Sequence, residues 1–221
     1  MSVKIGKRSG VLARLEDARL YCVTSPPLQG LSYEETVEKA LKGGADIVQL
    51  REKSIPAGEM TDLGKRLRDL CRHHEALFIV NDRLDVALAS GADGVHLGQD
   101  DLPLKEARKI AEDLPDFIIG VSTHSLDQAL KAQSEGADYI GCGPIFSTPT
   151  KPDYRAQGLD LIRQYRQQIH IPFVAIGGMD ETNIEEAVSA GARCVAAVRA
   201  VFGNDDIEGA VRSLKSKIRV P

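Results

Sequence analysis

The segment GADYIGC at 136–142 has three relatives elsewhere in the chain. Each of the four starts with Gly and Ala, continues with a polar residue and ends in an apolar run of strand length; the other three are GADIVQL at 44–50, GADGVHL at 91–97 and GARCVAA at 191–197. A Gly at this place is typical of a helix that ends in a left-handed cap. The four copies therefore predict a repeated unit in which a helix ends and a strand begins.

The spacing of the copies predicts how many units the chain contains. Successive copies begin 47, 45 and 55 residues apart, about twice the length that one strand–loop–helix unit needs. Each interval therefore has room for a second strand and helix. Continuous apolar runs lie there, at Leu20–Thr24, Leu77–Val80, Phe117–Val121 and Phe173–Ile176. Continuous rather than alternating runs are typical of parallel strands that are covered on both faces.

Segments with helical periodicity separate the predicted strands, at 33–43, 57–74, 82–90, 103–112, 125–135, 158–168, 181–190 and 207–218. Ser32, Ser125 and Asp180 are cap signals at the start of three of them. Eight alternating strands and helices predict a (β/α)8 TIM barrel. An open doubly wound sheet is disfavoured, because no GxGxxG turn follows the first strand. We predict one catalytic barrel domain at 19–221, preceded by an amino-terminal arm at 1–18 with a short helix around Val11–Asp17.

Composition excludes several classes of partner. The chain has 221 residues, 43% of them apolar, with a net charge of −4, so we expect a folded core and no nucleic-acid partner. No apolar run approaches the roughly 20 residues that cross a bilayer, and no signal segment is evident, so we predict a cytoplasmic protein without a membrane partner. A homo-oligomer is compatible with the sequence. The cysteines lack zinc-site spacing and are expected to be buried thiols: Cys22, Cys71, Cys142 and Cys194.

Polar side chains and one Gly-Gly pair follow the predicted strands at their carboxyl ends, where this fold places its active sites. In chain order they are Gln49, Arg51, Lys53, Asn81, Asp82, Asp101, Ser122, Thr148, Thr150, Lys151, Gly177, Gly178 and Arg199. We expect no comparable collection at the amino-terminal ends. Each residue also has a structural alternative: Asp82 and Asp101 as helix N-caps, Lys53 and Lys151 as solvated loop lysines.

The residue types indicate a site for two phosphorylated substrates. Asp82 and Asp101 offer only oxygen ligands, which suits Mg²⁺ held together with substrate phosphates. Arg51, Lys53 and Lys151 would neutralise a diphosphate beside that metal. On the other side of the mouth, the backbone amides of Gly177-Gly178 and the segment after strand 8 suit a single phosphate.

The chain resembles the thiamine-phosphate synthase family in six motifs: QLREK at 49–53, NDR at 81–83, GADGVHLGQDD at 91–101, GVSTH at 120–124, GADYIGCGPIFSTPTK at 136–151 and AIGG at 175–178. The resemblance implies a Mg²⁺-dependent transferase. It would join 4-amino-5-hydroxymethyl-2-methylpyrimidine diphosphate to 4-methyl-5-(2-phosphooxyethyl)thiazole and release diphosphate. The mechanism implied is dissociative: diphosphate leaves first, and the thiazole nitrogen then attacks the pyrimidine methylene.

The resemblance also implies roles for individual residues. Asp82 and Asp101 match metal-binding positions. Positions for the pyrimidine diphosphate are matched by Gln49, Arg51, Lys53, Asn81, Ser122 and Lys151, of which we predict Arg51, Ser122 and Lys151 to be catalytic. Thr148, Thr150 and Gly178 match thiazole-phosphate positions.

One position departs from the pattern, because Arg199 stands where many family members have a small serine; we include it among the substrate-binding residues. Two other functions stay open. A thiazole tautomerase, an isomerase on the same barrel, shares the GAD segments but generally lacks the full diphosphate apparatus. A non-catalytic regulatory barrel would have no use for a pair of metal ligands.

Overall fold

The computed structural model of the chain shows a single closed barrel of eight parallel strands, in which each strand pairs with the next along the chain and the eighth pairs with the first. The structure describes residues 10–27, 30–148 and 155–218. The strands are β1 Leu20–Val23, β2 Ile47–Leu50, β3 Leu77–Asn81, β4 Gly94–Leu97, β5 Ile118–Thr123, β6 Tyr139–Cys142, β7 Phe173–Ala175 and β8 Cys194–Ala197. The predicted TIM barrel is confirmed.

Helices alternate with the strands and cover the barrel. They are α1 Gly10–Asp17, α2 Tyr33–Lys42, α3 Ala57–His73, α4 Leu84–Ser90, α5 Leu104–Ile110, α6 Leu126–Ser134, α7 Leu159–Gln168, α8 Ile184–Ser189, α9 Arg199–Phe202 and α10 Ile207–Lys217. Over the described parts of the chain, none of these helices has both the length and the apolar character that a bilayer span requires.

Two of the three predicted cap signals act as caps. Ser32 Oγ accepts from the Glu35 N–H and the Glu35 carboxylate accepts from the Ser32 N–H, which completes a capping box, and Ser125 Oγ accepts from the Gln128 N–H. The prediction for Asp180 was wrong. Its carboxylate accepts from the N–H and hydroxyl of Thr182 and closes a turn, so that α8 begins only at Ile184. This local bond competes with helix capping.

The glycines of the four repeat segments adopt the left-handed conformation that was predicted for them. The φ angles are 98° at Gly44, 68° at Gly91, 90° at Gly136 and 117° at Gly191. Residues with a Cβ rarely adopt such angles without strain. The four glycines therefore let each helix end sharply and the chain return to the start of the next strand.

The aspartates of the first three repeat segments join neighbouring strands at the amino-terminal end of the barrel. Asp46 Oδ2 accepts from the Leu20 N–H at 3.0 Å, and the Asp46 N–H donates back to the Leu20 carbonyl at 3.1 Å. The same reciprocal pair links Asp93 with Phe78 and Asp138 with Ile119. We call these three pairs the aspartate clamps. They hold β1 to β2, β3 to β4 and β5 to β6.

A cation accompanies each clamp. Lys215 Nζ lies 2.7 Å from Asp46 Oδ1, Arg108 lies 2.7 Å from Asp138 Oδ2 and Arg14 lies 3.8 Å from Asp93 Oδ1. These carboxylates are engaged with backbone amides and cations at once. Their role is therefore structural, and the charged cluster does not form a second site.

Successive residues of each repeat segment face opposite sides of the barrel wall. The fourth residue lies in the interior cluster in three of the segments, as Ile47, Tyr139 and Cys194 do. The fifth and seventh residues, such as Val48 and Leu50, belong to the larger cluster between strands and helices. Leu15 of α1 is buried in the interior cluster, so this helix closes the amino-terminal end. The opposite end stays open for a site.

The aspartate clamps yield a stability prediction. Asp46→Ala should lower the free energy of unfolding by about 2–3 kcal/mol, because it leaves the N–H groups of Arg19 and Leu20 without their acceptor and the Lys215 ammonium with only the Gly44 carbonyl. Asp62→Ala is the control, since Asp62 makes an exposed helical ion pair with Lys65 and should change stability by less than about 0.5 kcal/mol. Urea unfolding at pH 7 measures both; equal effects would contradict a structural role for the clamp.

Candidate active site

A cavity of about 860 Å³ opens at the carboxyl ends of the strands. Its wall includes residues that follow most of the strands, as the sequence predicted. Eight of the predicted site residues line it: Gln49, Arg51, Asn81, Ser122, Thr148, Gly177, Gly178 and Arg199. Thr150 and Lys151 lie outside the described residues, so their predicted roles stay predictions.

The floor of the cavity is a run of hydrogen-bonded side chains. Gln49 Nε2 donates to the Tyr21 hydroxyl at 2.8 Å, and the Tyr21 and Tyr139 hydroxyl oxygens lie 3.0 Å apart. The Tyr139 hydroxyl is 3.0 Å from His96 Nδ1, and His96 Nε2 is 3.0 Å from Ser122 Oγ. We call these five residues the floor chain. They bring together five different strands.

Three members of the floor chain were not among the predicted site residues: Tyr21, His96 and Tyr139. A signal for His96 was present in the sequence. His96 is the sixth residue of its repeat segment, as Gln49 is of its own, and both therefore face the interior. The corresponding positions in the other two segments hold the small residues Gly141 and Ala196, which also line the cavity.

The predicted metal ligands stand together at the rim, beside the cavity rather than in its wall. Asp101 is near enough to Asp82 to raise the pKa of the Asp82 carboxyl, and Lys53 Nζ lies 3.8 Å from Asp82 Oδ2. Neither carboxylate caps a helix, which removes that alternative: α4 follows Arg83 and α5 follows Pro103, both without a side-chain cap. Asp101 Oδ2 instead accepts from the Gly98 N–H at 2.6 Å.

Asp82 has both an unfavourable backbone conformation and an unfavourable negative charge. Its φ is 63°, in the left-handed region that costs energy for a residue with a Cβ. Burial, together with the neighbouring Asp101 carboxylate, raises the pKa of Asp82 from 3.8 to about 6, against the lowering influence of Lys53 and Arg51. Two carboxylates that repel each other in a partly buried place are suited to a divalent cation.

The donor set at the rim fits a hard cation with only partial protein ligation. Within the three described ranges, no group of three or more His, Cys, Asp or Glu side chains is arranged to hold a metal. Asp82 and Asp101 thus offer two oxygen ligand groups, and further ligands would come from water and substrate. This is the pattern that Mg²⁺ adopts with phosphorylated substrates.

The loop after β2 is held in place around Glu52. The Glu52 carboxylate accepts from the N–H of Lys53, the N–H and hydroxyl of Ser54, and the hydroxyl of Tyr33. Partial burial raises the pKa of Glu52, but the hydrogen bonds from Ser54, Tyr33 and Lys53 outweigh it and lower the pKa to about 2. The backbone from which Lys53 extends toward Asp82 is therefore anchored.

The wall opposite the rim carboxylates is formed by the backbone of two glycines and by the side chain of Arg199. Gly177 and Gly178 have φ angles of 106° and 64°, and the Gly178 carbonyl accepts from Asn183 Nδ2 at 2.8 Å. α9, a short helix that was not predicted, begins at Arg199, and both Arg199 and Ala200 line the cavity beside these glycines. The first N–H groups of a helix have no partner within it. This wall is suited to a single phosphate.

This TIM barrel has carboxylates and a lysine at the rim of its cavity, and backbone groups and an arginine on the opposite wall. Such a site is typical of enzymes that act on phosphorylated small molecules. The comparison with known families narrows the class. A family model described as thiamine monophosphate synthase matches residues 20–201, most of the chain. The chain therefore belongs to the thiamine monophosphate synthase family, as its motifs predicted, and this family is a family of transferases.

Individual relatives agree with the family match. The chain is 46% identical over 211 residues to a thiamine-phosphate synthase of Chloroflexus aurantiacus, which covers 95% of this chain and 96% of that protein. It is 50% identical over 193 residues to a thiamine-phosphate synthase of Gloeobacter violaceus, of whose length it spans only 55%. A solved structure of thiamine phosphate pyrophosphorylase from Pyrococcus furiosus superposes with a TM-score of 0.85 at 41% identity, covering 92% of this chain and 96% of that one.

The rim carboxylates yield a prediction about pH. The pKa of Asp82 is higher in the folded chain than in the unfolded chain, so metal-free protein should lose stability as pH rises from about 4 to 6. Asp82→Asn removes this loss and also relieves the left-handed strain, which Asn tolerates. The gain in the free energy of unfolding should be small at pH 4 and about 1–2 kcal/mol at pH 7.

Thermal unfolding of both proteins in chelator across this pH range measures the difference. Asp85→Asn is the matched control, because Asp85 is an exposed carboxylate in the first turn of α4 whose pKa is lowered by its hydrogen bond with Arg83, so this substitution should bring no gain in stability at pH 7. A gain from Asp82→Asn that is independent of pH would show that only the backbone strain had been relieved.

Proposed function

We propose that the chain is a Mg²⁺-dependent thiamine-phosphate synthase that joins 4-amino-5-hydroxymethyl-2-methylpyrimidine diphosphate to 4-methyl-5-(2-phosphooxyethyl)thiazole. The products are thiamine phosphate and diphosphate. The observation that carries the proposal is the convergence of Gln49, Arg51, Asn81 and Ser122 on one cavity in a chain that matches a full-length relative of this name along 96% of its length. Its partners are small molecules.

The rim supports binding of the pyrimidine diphosphate. Arg51 and Lys53 bring positive charge from the anchored loop after β2, and the predicted Lys151 would add a third cation from the loop after β6. Asp82 and Asp101 would hold Mg²⁺, which when bound neutralises charge on the diphosphate. The residues of this chain thereby favour departure of the diphosphate, and no protein nucleophile takes part.

The opposite wall supports binding of the thiazole phosphate. Gly178, Thr148 and Arg199 line the cavity there, beside the start of α9. A phosphate fixed at this wall would direct the attached thiazole ring back across the cavity toward the pyrimidine. The contribution of the protein to the second step is then the positioning of two substrates in one enclosed volume.

We place the reaction in the cytoplasm. All four cysteines lie in the described ranges, where they are buried and free of disulfide bonds. Free buried thiols support a reducing compartment.

Chromatographic assay of the purified chain with both substrates and Mg²⁺ tests the function. Formation of thiamine phosphate with one equivalent of diphosphate is expected. A tautomerase would convert its thiazole substrate without releasing diphosphate, and a regulatory barrel would bind phosphorylated ligands without forming product. Either result would overturn the proposal.

Removal of metal should abolish the reaction. In excess chelator we expect less than about 1% of the activity, restored by Mg²⁺, because the carboxylates at the rim otherwise repel the diphosphate. Isothermal titration of Mg²⁺ with and without diphosphate provides a readout other than activity, and binding should be tighter with diphosphate. Full turnover in chelator would contradict a role for the metal.

Arg199 offers a test of the phosphate wall, because it brings a positive charge to this side of the cavity. Arg199→Ser should raise the KM for the thiazole phosphate about tenfold, equivalent to about 1.4 kcal/mol, and leave the KM for the pyrimidine diphosphate nearly unchanged. Arg193→Ser is the control, because Arg193 is exposed at the opposite end of the barrel. Equal shifts in both KM values would show a structural effect instead.

A further inference from the structure

The floor chain crosses the interior of the barrel as one uninterrupted run. Gln49, Tyr21 and Tyr139 are 4%, 2% and 0% exposed, and each contact along the run from Gln49 Nε2 to Ser122 Oγ is between 2.8 and 3.0 Å. Burial raises the pKa of both tyrosines, so the phenols keep their protons. Each hydroxyl then has one proton to donate, and the run as a whole has a direction.

The direction follows from the Gln49 end. Gln49 Nε2 donates to Tyr21, which leaves the Tyr21 proton for Tyr139 and the Tyr139 proton for His96 Nδ1. His96 is then neutral with its proton on Nε2, and donates it to Ser122 Oγ. The Ser122 hydroxyl proton is consequently directed away from the histidine, toward the cavity that Ser122 lines. At the other end, the Gln49 carbonyl oxygen remains as an acceptor.

The opposite direction would give the floor a different chemistry. With the Gln49 amide reversed, protons would run from His96 Nδ1–H through Tyr139 and Tyr21 to the Gln49 oxygen. His96 Nε2 would then accept the Ser122 proton, as in a serine–histidine pair that activates a nucleophile. The same five residues thus form either a donor or a base at Ser122, and the orientation of one amide decides between them.

We propose that Tyr21, Tyr139 and His96 are positioning residues that fix this direction, so that the floor presents an acceptor at Gln49 and a proton donor at Ser122. The inference deepens the proposed function. Departure of diphosphate places positive charge on the aminopyrimidine and negative charge on the leaving group. An acceptor for the amino N–H at Gln49 and a donor for a diphosphate oxygen at Ser122 oppose both developing charges.

The fold reserves space for this arrangement at Gly120 of β5. A Cβ on Gly120 would lie 2.1 Å from Tyr139 Cζ and 2.6 Å from its hydroxyl oxygen. The absence of a side chain at Gly120 therefore lets the Tyr139 ring lie between Tyr21 and His96. Gly120→Ala should displace that ring and interrupt the run at its centre.

Tyr139→Phe tests the proposal, because it removes one hydroxyl and keeps the ring. We expect kcat to fall about tenfold with less than about a twofold change in either KM, since the loss affects a charge that develops only as diphosphate leaves. Tyr165→Phe is the matched control. Tyr165 is also a buried tyrosine, bonded to Thr123 and the Ser125 carbonyl but outside the floor chain, and its kcat should stay within about twofold.

A double-mutant cycle shows whether Tyr139 acts through Ser122. In a Ser122→Ala background, Tyr139→Phe should lower kcat by less than about twofold, because the donor that it orients is already absent. Independent tenfold losses in both backgrounds would overturn the proposal. Should Tyr139→Phe fail to fold, Tyr21→Phe in the same cycle replaces it, with the same dependence on Ser122 expected.

The tautomer of His96 gives a readout that does not depend on activity. Nitrogen-15 NMR of the histidine-labelled protein should show His96 protonated on Nε2 in the wild type and mixed tautomers in Tyr139→Phe, whereas Tyr165→Phe should match the wild type. Protonation on Nδ1 in the wild type would overturn the proposal even if thiamine phosphate is formed. Absence of thiamine phosphate with the Nε2 tautomer present would instead count against the proposed function and leave the direction of the floor chain established.

Discussion

The register of the parallel barrel is the constraint on which the other features depend. In each aspartate clamp, the side chain and backbone of an aspartate just before one strand bond the backbone at the start of the neighbouring strand. A strand that slipped by one residue would therefore lose a carboxylate acceptor as well as the hydrogen bonds between the strands. A slip of one residue would also turn every side chain to the other face of the wall. Gln49 and His96 would then face the helices. The amino-terminal end thus secures the chemistry of the opposite end.

The rim of the cavity contains a residue that is unfavourable for the stability of the free protein. Asp82 combines a left-handed backbone with a carboxylate whose ionised form is disfavoured by burial and by Asp101, while the nearby ammonium of Lys53 is 64% exposed and therefore screened. Carboxylates that repel one another in the free protein would be stabilised by a bound cation. This is the usual relation between a functional site and the rest of a fold, in which local strain is offset by packing elsewhere.

Most of the fold could be predicted because its signals are local. The repeat glycines indicate where helices end, and the apolar runs between them are long enough for strands. The start of α8 was missed because Asp180 bonds Thr182 within a turn, and α9 was missed because four residues carry no periodicity. At the site, Gln49 and Ser122 were found from their motifs, whereas Tyr139 was not. Its partners Tyr21 and His96 lie 118 and 43 residues away in the sequence, and strand periodicity indicates an inward side chain without indicating what it meets.

The sixth position of the repeat segments faces the cavity and takes no part in the aspartate clamps. Gln49, His96, Gly141 and Ala196 occupy the same place in four copies of one structural unit, yet Gln49 and His96 form hydrogen bonds in the floor chain and the two small residues have no side chain that could do so. The glycine, and the aspartate where present, maintain the architecture whatever stands at the sixth position. The positions that hold the fold and the position that faces the cavity are therefore separate within the same seven-residue segment, so a substitution at the sixth position would change the floor of the cavity without removing the glycine or the aspartate that joins the strands.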